Sequence, residues 1–542
     1  MGEAERLASD RTAQARIGRT VPYRRRAGLR AGLGRLALLL CVLQLAACGG
    51  TVAPVGPPHH VDTQAIDDPG ATALGKVFEP EAAKHPGLSG FDLITSGRTA
   101  FEGRFAFAQL AQRTIDAQYF IWANDATGRN MLLALLDAAD RGVRVRLLID
   151  DFNLDGQDPT LAAVRAHPNV EVRLFNPYQS RDAHTLDLLF EFKRLNHRMH
   201  DKAFIVDNTI AVVGGRNMAD PYFSANEQAN FRDLDLFAAG PIVRDASREF
   251  DEFWNSAWAT SIRRVVSDRP TPEQVHEMVA KLHEKTDGAP YPFRTSMDEP
   301  FLEHFVDMVR GRLLWGKATL LADSPDKPAT SEPELVETLR AKVRGTTKKE
   351  LLLETAYFVP AGGGTERLCA LHQRGVDIRV LTNSLASTDE ASAYAGFMRH
   401  REDLLRCGIE LHELRPDAAF VRREWTWLRG RSEAELHTKA AVFDREKVMI
   451  GSFNLDPRSR YLNTELAILV ESPPLAAKVA AFITSGMTLA NSFRLELDEN
   501  GDVVWVAEDQ GREIRFGSSP EAGLWHRVQA GFLSLLPIEE LL

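Results

Sequence analysis

Cysteine is scarce: the chain has four in 542 residues, Cys41, Cys48, Cys369 and Cys407. A disulfide framework is therefore excluded. Basic excess is missing too. The formal net charge is −10, which argues against a general nucleic-acid binder but leaves room for a local basic site. Strongly apolar sequence is concentrated in one short run near the start, so the chain is not polytopic. Nor does it have the composition of a disordered protein, with 44% hydrophobic and 26% charged residues. What remains is a globular body long enough for two or more domains and a large core.

The N-terminus is a different material. Arg24, Arg25, Arg26, Arg30 and Arg35 precede the apolar run from Leu36 to Leu43, and Leu45-Ala46-Ala47-Cys48-Gly49-Gly50 follows. A basic flank, a short apolar core and small residues make an export signal. The Leu-Ala-Ala-Cys ending resembles a bacterial lipobox. That resemblance implies a signal peptide over 1–47, cleavage before Cys48 and lipidation of its thiol. The expected product is a membrane-anchored lipoprotein facing the periplasm; the alternative is an uncleaved anchor. Residues 1–47 hold nine Arg and three acidic residues, so the remainder carries a net charge of −16. Anionic headgroups would repel such a body, and a lipid anchor would offset that. Cys369 and Cys407 fall in expected helices. An oxidising compartment would permit a disulfide between them; the favoured reading is two buried free thiols. Residues 48–85, rich in Pro around Thr51–His60, are expected to be an extended tether.

An α/β rhythm begins near residue 86. Phe101–Arg113 reads as a helix, Asp116–Trp122 as a strand, Gly128–Arg141 as an amphipathic helix and Val143–Asp150 as a strand. A strand over Val170–Phe175 and a loop of about 24 residues lead to His200-Asp201-Lys202. The second half repeats this order: Leu351–Val359 answers the first strand, and Arg374-Gly375-Val376 answers Arg141-Gly142-Val143. Ile409–Pro416 answers Val170–Pro177, and His437-Thr438-Lys439 answers His200-Asp201-Lys202. The offset is 233 residues at the glycines and 237 at the histidines, which indicates duplication. The expected fold class is α/β: two duplicated domains, each a mixed β-sheet flanked by helices, sharing one active site at a pseudo-twofold. Domains are expected at 86–265 and 336–475, joined by a helical connector over 266–335 with a Pro-rich break at Asp323–Pro328. A C-terminal hairpin and helix occupy 476–542.

Each half carries His-x-Lys, an Asp five residues past the Lys and a Gly seven past the Asp, then Asn: His200, Lys202, Asp207, Gly214 and Asn217, and His437, Lys439, Asp444, Gly451 and Asn454. On a strand, His and Lys two apart share a face. This doubled pattern resembles the phospholipase D superfamily. Wider stretches are similar to bacterial cardiolipin synthases, the C type in particular: Phe91–Ile94, His197–His200, Gly214–Asp220, Asp456–Ser459 and Leu462–Glu465. The lipobox departs from the synthases that carry N-terminal transmembrane helices.

A phosphodiester is anionic and repels nucleophiles. Lys202 and Lys439 would neutralise its non-bridging oxygens, with Asn217, Asn454 and Ser452 as further substrate-binding donors. One neutral His attacks phosphorus and the other, protonated, donates to the leaving alkoxide. The resemblance implies His200 as nucleophile and His437 as acid. It also implies a carboxylate to orient each ring; the candidates are Asp233 beside His200 and Glu465 beside His437. Asp207 and Asp444 read as structural members of the motif. His197 reads as a loop residue, and Gly214, Gly215 and Gly451 as tight turns. No metal or cofactor is required. Two aromatic and charged stretches, Leu186–Phe192 and Phe420–Arg429, suit a membrane interface, a nucleic-acid groove or the core, and the terminal helix at Leu524–Leu536 suits docking on the domain or lying on lipid.

The resemblance implies a phosphatidyltransferase making cardiolipin from two phospholipids, with phosphatidylglycerol as a substrate and phosphatidylethanolamine as a further candidate. The alternatives are a phospholipase D that releases phosphatidic acid and a phosphodiesterase nuclease. Low basicity and the lipid anchor weigh against nucleic acid as a partner, and no protein partner is legible.

Overall fold

The computed structural model describes residues 52–54, 61–154, 156–181, 184–266, 270–287, 291–424 and 432–534. The export signal, Cys48 and the aromatic stretch from Trp425 to Arg429 lie outside them. Residues Val52–Leu542 form one compact unit.

Each half of that unit is built on the same seven-strand order. In the first half the strands are β1 (Ser89–Ile94), β2 (Thr114–Tyr119), β3 (Arg144–Asp150), β4 (Val170–Phe175), β5 (Ala203–Val206), β6 (Ile210–Gly214), β7 (Ala229–Arg232) and β8 (Asp235–Ala239), with β9 (Ala259–Ser261) beyond. The sheet runs β9-β4-β3-β2-β5-β6-β8-β1. Strands β2, β3 and β4 are parallel and connected through helices, such as α1 (Ala126–Asp140) between β2 and β3. Apolar residues at helical spacing, Met131, Leu135 and Ala139, bury one face of α1, and Asp125 caps its start by accepting from Gly128 N.

The second half repeats this with β10 (Leu314–Ala322), β11 (Glu350–Thr355), β12 (Asp377–Asn383), β13 (Glu410–Leu414), β14 (Glu433–Leu436), β15 (Lys439–Phe443), β16 (Lys447–Gly451) and β17 (Leu466–Glu471). Its order is β13-β12-β11-β15-β16-β17-β10. Antiparallel pairing of β1 with β10, Ser89 opposite Gly316, joins the halves into one 18-stranded sheet. A shared core lies between the halves, with Ile205, Val213 and Leu236 buried in one cluster with Val442, Ile450 and Ile468.

Several expected boundaries differ. The tether over 48–85 contains a helix, Ala73–Ala83, and a docked strap. Arg146 and Asn255 donate to Thr63 O, Arg173 to Val61 O and Asn208 to Ile66 O. The strap adds carbonyl acceptors to two buried guanidinium groups that already pair with carboxylates, Arg146 with Asp116 and Arg173 with Glu171. The loop ahead of His200 holds two short helices, His184–Phe190 and Phe192–Leu195. The connector contributes β10, an interior strand. The C-terminal segment extends the second sheet: β18 (Ser492–Leu497) pairs with β13, and β19 (Val503–Asp509) folds back on β18 around Asp498–Asp502.

Cys369 and Cys407 are not buried free thiols. They are half-buried and joined in a disulfide, with S–S 2.07 Å and Cα–Cα 5.6 Å. Two short helices, Gly364–Gln373 and Arg401–Arg406, lie side by side and bring the thiols together. Helical periodicity places each Cys on its own helix but says nothing of which helices become neighbours.

Candidate active site

The two halves trade backbone at their junction. Strand β7 of the first half pairs in parallel with β14 of the second, Arg232 opposite Leu436. His437 N and Thr438 N donate to Arg232 O at 2.9 and 3.1 Å, and His200 N donates to Thr464 O at 3.0 Å. Each histidine is thus hung on the other half's chain, and the residue after each acceptor is a carboxylate. His200 and His437 precede their strands, while Lys439 opens β15 and Lys202 lies one residue before β5. The peptide before each His is also pinned: Asp150 Oδ2 accepts from Met199 N, and Asn383 Oδ1 from Leu436 N, both at 2.8 Å.

The exchange corrects the expected pairing. Asp233 lies not beside His200 but on His437, with Oδ2 to Nδ1 at 2.7 Å. Glu465 lies on His200, with Oε2 to Nδ1 at 2.8 Å. Sequence spacing suggested the nearer His in each half; the crossing of β7 and its counterpart sends each carboxylate to the far half. A carboxylate on Nδ1 fixes that nitrogen as the N–H, so the other ring nitrogen carries the lone pair.

Lys202 Nζ donates to His200 O, and Lys439 Nζ to His437 O at 2.6 Å. An ammonium has three protons, so donors remain for an anion. Both lysines and both histidines are buried and act on one another electrostatically. Burial, then the two lysines, holds both imidazoles well below their ordinary value. Burial also brings Lys439 down to about 8, and raises Asp233 and Glu465 to about 7. A bound phosphate oxygen would raise the lysine and histidine values and stabilise the charged forms.

Asn217 and Asn454 occupy the same place in each half. Their Oδ1 atoms accept from Ile121 N at 3.1 Å and Tyr357 N at 3.4 Å, which leaves each NH₂ as a donor. Ser452, expected to bind substrate, instead donates its hydroxyl to Glu465 Oε2. The equivalent first-half position is Gly215, where an added Cβ would lie 2.2 Å from Asp233 Oδ1. Gly215, Gly214 and Gly451 are not left-handed turn residues; they are small because the orienting carboxylate strand passes too close for a side chain. Asp207 and Asp444 lie at the far end of the hairpins, at φ 53° and 52°. Asp207 accepts from the N–H groups of Gln112, Arg113 and Thr114, and Asp444 from those of Lys348, Lys349 and Glu350. Asp207 thus clamps its hairpin to the start of β2, and Asp444 clamps its own to the start of β11.

His197 is buried, with Nδ1 2.7 Å from Lys193 O, and burial lowers it to about 4. Sequence reasoning missed the aromatic walls. Phe120 meets His200 edge-on at 5.2 Å, and Tyr222 meets His437 edge-on at 4.9 Å, with Phe231 at 5.0 Å. Phe231 lies on the exchanged strand β7 and Tyr222 in the short helix Asp220–Phe223 before it, and no local pattern marks them. Of the candidate interface residues, Phe420 and Val421 are core, whereas Phe190 is exposed. On the terminal helix Leu524–Ser534, Ala530 is buried while Trp525, Val528 and Phe532 are exposed. Among the described residues no helix is long and apolar enough to cross a membrane, and no group of His, Cys, Asp and Glu side chains could hold a metal ion.

The fold and site define a two-repeat phospholipase D-type enzyme, with one His-Lys pair from each repeat in a single centre. The family described as cardiolipin synthase, PLD-like domain matches twice, at residues 106–254 and 344–485. The chain belongs to that family. It is 38% identical over 478 residues to cardiolipin synthase C of Escherichia coli (strain K12), covering 86% of this chain and 99% of the relative. It is 24% identical to the major cardiolipin synthase ClsA of Bacillus subtilis (strain 168), over 75% of this chain and 70% of the relative. The crystal structure of phosphatidylserine synthase from Haemophilus influenzae Rd KW20 superposes with a TM-score of 0.52 at 12% identity, covering 85% of this chain and 99% of that one; the likeness is one of fold.

Proposed function

We propose that this protein is a phosphatidyltransferase that makes cardiolipin from two phospholipids. The observation that carries the reading is the crossed pair of His–carboxylate contacts around two buried lysines, in a chain similar over nearly its whole length to a cardiolipin synthase. His200, oriented by Glu465, attacks phosphorus of the donor phospholipid. The bond to the headgroup oxygen breaks, and protonated His437 gives that oxygen its proton. The phosphatidyl group is then held on His200. Neutral His437 next takes the proton from a headgroup hydroxyl of a second phospholipid. That oxygen attacks phosphorus, the P–N bond breaks and cardiolipin leaves. Lys202, Lys439 and the Asn217 and Asn454 amides hold the non-bridging oxygens, supplying the charge stabilisation.

The natural donor and acceptor are read as phosphatidylglycerol, with phosphatidylethanolamine as a second donor. Membrane attachment through lipidated Cys48 and a periplasmic address fit the export-type N-terminus. The Cys369–Cys407 disulfide supports the same address, since such bonds persist in oxidising compartments.

Purified full-length protein in vesicles of phosphatidylglycerol, with and without phosphatidylethanolamine, tests this by mass spectrometry of products. Cardiolipin is the expected product, with or without EDTA. Phosphatidic acid alone would mean that water, not a lipid hydroxyl, resolves the intermediate.

A further inference from the structure

The connector between the halves reaches the site. Asp323 follows β10, and its backbone N donates to Glu465 O at 3.1 Å, while Glu465 N donates back to Asp323 Oδ2 at 3.2 Å. Asp323 Oδ1 accepts from Leu335 N at 3.0 Å. Lys327 Nζ bridges Asp323 Oδ2 at 2.7 Å and Ser459 O at 3.0 Å. Asp323 is 3% exposed and Lys327 1%, so this ion pair within the Pro-rich break is buried. An ion pair of this kind costs desolvation energy, and simple tethering needs no charge.

The first half shows what the pair does. There the cation beneath the orienting carboxylate is Arg216, which donates to Asp233 O at 2.6 Å and pairs with Asp235 at 3.3 Å. Arg216 belongs to the first motif, Gly214-Gly215-Arg216-Asn217. The second motif reads Gly451-Ser452-Phe453-Asn454, with an apolar ring where the guanidinium stands. We propose that Asp323 and Lys327 are positioning residues for the Glu465–His200 pair, a connector-borne ion pair that does for one half what Arg216 does for the other. This rests on the role given above to Glu465. The charges that act on Glu465 are Lys202, Lys439 and Lys327 on one side, and Asp201, Asp323 and Asp456 on the other. Burial raises Glu465 most, and Lys202 and Lys327 are among the groups that pull it back. Removing Lys327 therefore makes Glu465 harder to ionise, and removing the Asp323 charge makes it easier.

The test uses full-length K327M, K327R and D323N proteins and the pH profile of kcat. Turnover is followed on phosphatidylglycerol vesicles and on bis(4-nitrophenyl) phosphate, an activated phosphodiester that needs no lipid site. K327M should move the acidic limb up by about one pH unit. D323N should move it down, and K327R should restore the wild-type limb. Unmoved limbs with only a lower melting temperature would overturn the proposal, as would shifts in the same direction. If K327M does not fold, the downward shift of D323N against an unmoved limb decides the matter. Loss of lipid products from the wild type would count against the proposed function, while the aryl diester profile still decides the role of the pair.

Discussion

Glu465 Oε2 lies 2.8 Å from His200 Nδ1, although 265 residues separate the two. The contact exists because strand exchange at the pseudo-twofold presents each half's carboxylate to the other half's histidine. Neither repeat holds a complete histidine–carboxylate pair, which ties the geometry of the site to correct packing of both.

The crossed pairing predicts which histidine each carboxylate controls. In E465Q the imidazole resonances of His200 should shift in NMR while those of His437 stay, and in D233N the reverse. Turnover in both should fall by about 10²- to 10⁴-fold, the usual span for losing general acid–base assistance. A shift of His437 in E465Q would refute the crossing.

Ser452 and Gly215 occupy equivalent positions with unequal room. S452G copies the first half and removes one hydrogen bond to Glu465, so it should stay folded and lose activity by about tenfold, equal to roughly 1.4 kcal/mol. G215S puts a side chain onto Asp233, so it should lose far more activity and melt earlier. Equal tolerance of the two changes, read by kinetics and thermal melts, would contradict the close approach at Gly215.

Asp207 and Asp444 hold backbone N–H groups and stand at the ends of the hairpins remote from the histidines. D207A leaves three donors without an acceptor at a partly buried edge and should destabilise the protein by about 2–3 kcal/mol. D444A, whose partners lie nearer water, should cost about 1 kcal/mol. Urea midpoints check both. The folded fraction should keep near wild-type kcat; a catalytic role would abolish it.

The disulfide closes a loop across a sequence separation of 38 residues. Thiol titration of unfolded, unreduced protein should find neither Cys369 nor Cys407 reactive, and both should react after reduction. C369S should lower stability by about 3–4 kcal/mol on the chain-entropy account. Labelling of Cys369 and Cys407 before reduction, located by peptide mass mapping so that Cys41 and Cys48 are not counted, would restore the free-thiol reading.

Much of the architecture was legible. The repeat offset around Gly142 and Gly375 marked the duplication, and alternating helical and strand periods marked the α/β class. The motif residues His200, Lys202, His437 and Lys439 stood at fixed spacing, because a hairpin with a clamped Asp at its tip constrains the chain locally. The roles of Ser452 and the glycines were misread, since a Gly after a strand looks like a turn and a Ser near a site looks like a ligand. What each residue touches across the interface leaves no local mark.

The sequence by itself determined the elements, their duplication and the reactive side chains, because periodicity and short-range spacing follow from backbone geometry. Tertiary structure alone decided the partners: Glu465 with His200, Asp233 with His437, Cys369 with Cys407, and Asp323 with Glu465 beneath the site. Those pairings arise where segments distant in sequence pack together, and packing depends on the complementarity of whole faces that no local window contains.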